Sequence, residues 1–142
     1  MRINDLLGIL IVFCLLSGCS SQTPSLTKEE ITSINIEGCG LDGFFDDSTA
    51  TCERKIGIDA KKDIEVYLAA MESATAYEGP LTTEGNNYVF YIVDENKETT
   101  AYVVWLNGES GSFEKPGEGE RRYLFKDEDV QKIHTIIERE IK

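Results

Sequence analysis

Few side chains in this 142-residue sequence could carry out a reaction. The single histidine, His134, lies in a segment of helical periodicity just beyond the apolar stripe, so we expect it to be exposed. A serine–histidine–aspartate triad would need a nucleophile elbow, and the sequence has none. The 26 Asp and Glu residues make some close carboxylate pairs inevitable, so such pairs are not a specific sign of acid–base catalysis. We therefore predict a chain that is not an enzyme, with no catalytic residue, no cofactor and no metal ion.

One loop concentrates acids and aromatic residues, the run Gly40–Ser48. Its three aspartates offer the oxygen ligands that Ca²⁺ prefers, but their spacing differs from an EF-hand and no glutamate stands at the twelfth position. Its two phenylalanines could form an exposed apolar tip that contacts another protein, or fold back onto the core. We interpret the loop as a candidate partner-binding element, with calcium binding and core packing as alternatives; its residues are Asp42, Phe44, Phe45, Asp46 and Asp47.

The first 18 residues have the pattern of a secretory signal peptide. The uncharged apolar run Leu6–Leu16 is shorter than the roughly 20 residues needed to cross a bilayer, and it has the length of a signal-peptide core. The tetrapeptide Leu16–Cys19 resembles the lipobox of bacterial lipoproteins, in which an aliphatic and two small residues precede a cysteine. The resemblance implies that Cys19 receives a diacylglyceryl group, becomes the mature N-terminus after cleavage, and is acylated with a fatty acid such as palmitate. An uncleaved signal anchor is the alternative.

Such a lipid would determine where the protein resides. Two or more acyl chains anchor a protein stably, whereas one binds only marginally. We therefore expect a protein anchored to the cell membrane or outer membrane, with its domain outside the cytoplasm. The polar segment 19–28 reads as a flexible tether, and residues 29–142 are long enough for one domain.

The four cysteines then divide into two pairs of different fate. Cys14 would leave with the signal peptide, and Cys19 would carry lipid. Cys39 and Cys52 would remain in an oxidising compartment, where an even pair indicates a disulfide bond. The bond would close a loop of 14 residues, counted from Cys39 through Cys52. In the chain-entropy model, a disulfide that closes a loop of this length stabilises the fold by roughly 3 kcal/mol. No CxxC motif suggests redox catalysis, and two cysteines with one distant histidine are too few ligands for zinc.

The charge balance is acidic, with 14 Lys and Arg residues against 26 Asp and Glu residues and a net charge of −12. Nucleic acid is excluded as a partner on these grounds, because phosphate binding needs a basic surface. A field of this sign would attract a basic partner, such as a basic protein of the cell envelope.

The pattern of apolar residues predicts an α+β domain with the order ββ-α-ββββ-α. Alternation of β-branched and aromatic residues indicates the strands, and apolar residues at helical spacing indicate the helices. We expect an antiparallel sheet of about five to six strands with two helices packed on one face. The predicted strands are 31–36, 52–58, 88–93, 99–106, 112–114 and 122–125, and the helices run from an Asp59 cap to about Ala74 and from an Asp127 cap through Ile141.

Strand Tyr88–Val93 is apolar on both faces, which predicts a central position in the sheet. Its aromatic residues and those of the neighbouring strands could bind sugar by stacking, although core packing explains most of them. The aromatic residues concerned are Tyr88, Phe90, Tyr91, Tyr102, Trp105, Tyr123 and Phe125.

This order of elements resembles the YhfM-like domain of bacterial lipoproteins over about residues 54–140. The similarity rests on the Asp59-capped helix, the strand with Tyr88, the strand with Trp105, the strand with Tyr123 and the final helix. The Cys39–Cys52 loop departs from that family's pattern. The resemblance implies an α+β domain of the cell envelope and supplies no site residues.

From these observations we expect a membrane-anchored envelope lipoprotein with a small, non-enzymatic binding domain. The alternative is an inhibitor of a basic hydrolase that attacks the envelope, such as a lysozyme, because acidic charge would steer a cationic enzyme towards the domain. An enzyme is the least favoured interpretation.

Overall fold

The computed structural model describes residues 30–42, 52–81, 87–115, 117, 119 and 121–142. These residues form seven strands, a short 3₁₀ turn at Cys39–Asp42 and two helices. The elements are β1 (Ile31–Glu37), β2 (Lys55–Ile58), α1 (Lys61–Ser73), β3 (Thr75–Tyr77), β4 (Tyr88–Asp94), β5 (Thr99–Leu106), β6 (Gly111–Glu114), β7 (Arg122–Leu124) and α2 (Asp127–Ile141). The α+β class predicted from the sequence is confirmed.

The strands form one antiparallel sheet with the spatial order β2-β1-β4-β5-β6-β7-β3. β4 has a partner on each side, as its apolar composition predicted. Helix α1 connects β2 at one edge to β3 at the opposite edge, so it runs beneath the sheet from side to side. Helix α2 packs against α1 and β2, so both helices cover the same face of the sheet.

Alternate residues of the strands point into the core between this face and the helices. In β4 the buried side chains are Tyr88, Phe90 and Ile92, and their neighbours along the strand are only half-buried. β1, β4 and β5 thus contribute every second residue to the core, as the pleat of a strand requires. The helices contribute Ile64, Tyr67, Leu68 and Met71 from α1 and Val130, Ile133, Ile136 and Ile137 from α2.

The two helices are antiparallel and are joined by polar contacts at both ends. Near the start of α1, the buried carboxylate of Asp63 accepts a hydrogen bond of 2.7 Å from Arg139 in the last turn of α2. Near the start of α2, Asp129 accepts one of 3.0 Å from the Ser73 hydroxyl, at the end of α1. These contacts set the position of one helix along the other, since buried polar groups require partners.

The predicted helix caps are wrong by one residue each. The N-cap positions are Ala60 and Lys126 rather than Asp59 and Asp127, and neither makes a side-chain capping bond. The Ala60 carbonyl accepts hydrogen bonds from the amides of Asp63 and Ile64, so the first turn closes one residue later than expected. Asp127 lies in the first turn of α2, where its charge interacts favourably with the helix dipole.

The sheet also has a strand that the sequence pattern did not predict. Helix α1 ends at Ser73, close to its predicted end at about Ala74, and Thr75–Tyr77 then pairs with β7 as the edge strand β3. All three residues of β3 are exposed, so backbone pairing rather than burial of apolar side chains holds this strand. At the other edge, β2 begins at Lys55 rather than Cys52.

Candidate functional site

The face of the sheet opposite the two helices is the main candidate for a binding surface. We call it the open face, because no helix in the described part of the chain covers it. Cross-strand register places its side chains in rows; they are Ser33, Asn35, Glu37, Lys55, Gly57, Thr75, Tyr77, Val89, Tyr91, Val93, Thr99, Ala101, Val103, Trp105, Ser112, Glu114, Arg122 and Leu124. Val89, Tyr91 and Val93 of β4 are half-buried, which explains why both faces of this strand are apolar.

The structure divides the aromatic residues between the two faces. Tyr88, Phe90, Tyr102, Tyr123 and Phe125 are buried in the core, where ring contacts such as the edge-on pair of Tyr67 and Phe90 link the sheet to helix α1. From the predicted group, Tyr91 and Trp105 lie on the open face. Tyr77, on the unpredicted strand β3, joins them and is 38% exposed.

Two ion pairs cross the open face between neighbouring strands. The Lys55 ammonium lies 2.6 Å from Glu37, and the Arg122 guanidinium lies 2.9 Å from Glu114. The same guanidinium stacks over the Trp105 ring at 3.9 Å from its centroid, a cation–π contact. The hydrogen bond and the charge of Glu37 raise the pKa of Lys55, so this side chain is cationic at neutral pH. Each acid on this face is thus paired with a base.

A shallow groove of about 380 Å³ lies at the β2 edge of the open face. It is lined by Asn35, Glu37, Lys55, Ile56, Gly57, Tyr91 and Thr99. Its volume falls within the range of small-ligand sites, roughly 300–1,000 Å³. The groove combines one aromatic ring with an amide, a hydroxyl and an ion pair, a set of groups that can bind a ligand carrying both apolar and hydrogen-bonding surface.

Of these groove residues, the sequence interpretation considered only Tyr91. A signal was present in the strands themselves, in the runs Ile34-Asn35-Ile36-Glu37 and Lys55-Ile56-Gly57-Ile58. Because side chains alternate along a strand, the polar members of both runs had to face away from the core. What the sequence did not reveal was that β1, β2 and β4 pair in a register that brings these members together.

The predicted disulfide joins Cys39 to Cys52, with Cα atoms 4.6 Å apart. Cys39 begins the 3₁₀ turn, which packs against the start of β4: Leu41 is buried, and the Gly40 amide donates a hydrogen bond of 3.0 Å to the Asn87 carbonyl. The disulfide therefore fixes both ends of the candidate loop beside the sheet. Asp42 is exposed at the end of this turn, and the other loop residues, Phe44, Phe45, Asp46 and Asp47, lie outside the described residues.

The lipidation site Cys19 also lies outside the described residues, as do the signal peptide and the tether. Within the described ranges, no helix has the length and apolar character required to span a bilayer.

The remaining candidates for chemistry have ordinary structural surroundings. His134 is half-buried on α2, with its ring nitrogen Nε2 3.4 Å from the Asn107 carbonyl oxygen. Burial raises the pKa of Tyr67, and it raises that of Tyr88 to about 12 with a smaller contribution from the charge of Glu138, so both phenols are neutral in the core. No group of three or more potential metal ligands occurs among the described side chains.

Comparison with protein-family models, curated proteins and solved structures finds no match to this chain. The resemblance to YhfM-like lipoprotein domains therefore stays a prediction, and the open face must be interpreted from its own geometry.

Proposed function

We propose that this protein is a lipid-anchored, non-enzymatic lipoprotein of the bacterial envelope that binds its ligand through the open face. The observation that carries the proposal is the cluster of apolar and aromatic side chains on that face. Tyr77 and Leu124, two large hydrophobic side chains on it, are each 38% exposed, and the half-buried side chains of Val89, Val103 and Trp105 lie between them and the groove. Sheets commonly bury one face and leave the other to solvent, but the solvated face is then mostly polar.

The charges on the open face favour an uncharged ligand over a basic enzyme. Among the described residues, Glu37 and Glu114 are the acids on this face, and Lys55 and Arg122 neutralise them. These four residues add no net charge to the face, although the chain carries a net charge of −12. A complex with a cationic hydrolase would therefore form at another surface and would be steered by long-range charge, which salt screens.

A photoreactive amino acid at Leu124 of the full-length protein, expressed in its own envelope, tests this proposal. The matched control places the same group at Glu65, which is exposed on the helical side. We expect light-dependent products at Leu124 that are absent at Glu65 and persist in 0.5 M salt, on the order of a 4 Å Debye length. Equal products from both positions, or products that disappear in salt, would refute binding through the open face, and the second result would favour the basic hydrolase.

A further inference from the structure

Gly57 is a glycine that the backbone does not require. Its φ lies outside the left-handed region, and strands β1 and β2 pair through Asn35 and Gly57 without interruption of the register. A Cβ atom placed on Gly57 would approach only the Asn35 Oδ1, at 3.5 Å, an ordinary van der Waals distance. Glycine inside a strand lowers stability, and where there is no bulge or bend it marks the close approach of a ligand or of another backbone.

The space that Gly57 leaves is part of the groove on the open face. Tyr91 lines the same groove and lies in one cross-strand row with Gly57, Asn35 and Ala101, so small residues stand at both ends of the row. An aromatic ring beside small residues offers an apolar surface on which a flat ligand can stack.

The polar groups around this ring point to a ligand with many hydroxyl groups and no charge. The Asn35 amide can donate and accept hydrogen bonds, and so can the Thr99 hydroxyl. The ammonium of Lys55 and the carboxylate of Glu37, 2.6 Å apart, place a donor beside an acceptor with no net charge. An anion would have to compete with Glu37 for Lys55, and a cation would have to compete with Lys55 for Glu37. Neighbouring hydroxyl groups of a sugar both donate and accept hydrogen bonds, so they can bind Lys55 and Glu37 without breaking the ion pair.

We infer that the groove at Gly57 binds a neutral saccharide ring, stacked on Tyr91 and hydrogen-bonded to Asn35, Thr99 and the Lys55–Glu37 pair. This inference rests on the proposed function, since it names the ligand class for one part of the open face. A polymer of such rings would extend from the groove across the valines and Trp105.

Titration calorimetry of the full-length protein in detergent tests the inference, with the tetramers of N-acetylglucosamine and of glucose as probes. Replacing Gly57 by Val fills the groove with a β-branched residue that suits a strand. We expect G57V to unfold at the same or a higher temperature than the wild type, and to bind the preferred tetramer at least about tenfold more weakly. A loss of binding in G57V without a lower unfolding temperature would therefore come from the filled groove and not from a destabilised fold.

Two further variants compare the groove with the opposite side of the domain. Tyr91→Ala should weaken binding about tenfold, the upper range for loss of one aromatic stacking contact. Glu65→Ala, at an exposed position of α1 on the helical side, is the control and should change affinity by less than about twofold, because it lies outside the open face.

Absence of binding for both tetramers at millimolar concentration would overturn the inference, as would affinities that G57V and Y91A leave unchanged. These outcomes are independent of the photocrosslinking at Leu124. Position-specific crosslinks without saccharide binding would overturn the ligand class alone, whereas saccharide binding without crosslinks would confine the site to the groove.

Discussion

At the scale of single residues, the side chain of Asn87 forms the hydrogen bonds to β5 that the backbone of a neighbouring strand would otherwise form. Its amide donates a hydrogen bond of 2.5 Å to the Leu106 carbonyl and accepts one of 2.9 Å from the Leu106 amide. The side chain thereby satisfies the last backbone groups of β5 just before β4 begins. Since Asn87 is itself buried, water cannot replace these bonds freely.

Asn87→Ala should therefore destabilise the protein by about 1–3 kcal/mol, the cost of leaving buried polar groups without partners. Urea unfolding followed by circular dichroism measures the change. Asn35→Ala is the control, because Asn35 is exposed on the open face and its loss should cost less than about 0.5 kcal/mol. Equal losses from the two variants would contradict this role of Asn87.

Gly40 is a second residue whose identity follows from its contacts. A Cβ atom there would overlap the ring of Tyr88, which is buried at the start of β4. Gly40→Ala should destabilise the fold by about 1–3 kcal/mol, as overpacking of a tight interior does. Gly108→Ala is the matched control, since a Cβ atom at Gly108 would meet no atom within 4 Å. If G40A had a higher unfolding temperature than G108A in a thermal scan, the Tyr88 ring would be able to move away from the added methyl group without loss of stability.

At the scale of elements, Asp129 links α2 to the end of α1 in a way that depends on pH. Burial disfavours its carboxylate, but hydrogen bonds from Lys132 and Ser73 outweigh that penalty and hold the pKa of Asp129 below its ordinary value. Because the pKa is lower in the folded state, ionisation of Asp129 stabilises the fold above the unfolded-state pKa. That contribution is lost as the pH falls through the folded-state pKa.

Asp129→Asn should thus cost about 1 kcal/mol at pH 7, and the difference from wild type should shrink below about pH 4. Urea unfolding at a series of pH values provides the measurement. Glu128→Gln removes the same charge from the same helical turn at an exposed position, and its effect should stay small. A deficit for D129N that is constant from pH 7 to pH 3 would show that ionisation of Asp129 does not stabilise the fold.

The elements that were predicted correctly from the sequence are those in which the buried positions are apolar and the exposed positions are polar, so that the burial pattern is visible in the sequence. The helical spacing of Val130, Ile133 and Ile137 and the alternation in β4 result from the core that these residues form. β3 gave no such signal, because all of its side chains are exposed and its partner, β7, is distant in sequence. The cap at Asp127 was misplaced because an aspartate near the start of a helix can serve either as a cap or as a charge in the first turn. Asp59 lies one residue before the N-cap Ala60 of α1.

The candidate site was less accessible to prediction than the fold. Asn35, Lys55 and Tyr91 belong to three strands, and only the pairing of β2, β1 and β4 makes them neighbours. Register depends on long-range pairing, and a shift of one residue would turn each of these side chains to the other face. The loop that begins near Asp42 could be proposed from the sequence because its aspartates and phenylalanines are close together along the chain.

At the scale of the whole molecule, the disulfide closes the end of the sheet that carries the groove. Cys39 follows β1 and Cys52 precedes β2, so the bond holds together the two strands that supply Asn35 and Gly57. Reduction should lower the free energy of unfolding by about 3 kcal/mol, because it opens the loop between two cysteines 13 residues apart and so raises the entropy of the unfolded chain.

Urea unfolding with and without dithiothreitol tests this effect. The double variant C39S/C52S should match the reduced wild type and should not respond to reductant. If reduction left the stability of the wild type unchanged, or if both thiols reacted with a maleimide before reduction, the disulfide would be absent from the protein in solution.

The proposed lipid anchor accounts for how so acidic a protein could stay at a membrane. A net charge of −12 is repelled by anionic headgroups, so attachment would depend on the acyl chains of Cys19. Cys19→Ser should abolish incorporation of labelled palmitate and remove the protein from the membrane fraction when its bacterial host is grown with the label. Cys14→Ser, five residues earlier in the apolar run, is the control and should retain both the label and the membrane location. Label that remained in C19S would place the acyl chains on another residue and would refute the lipobox assignment.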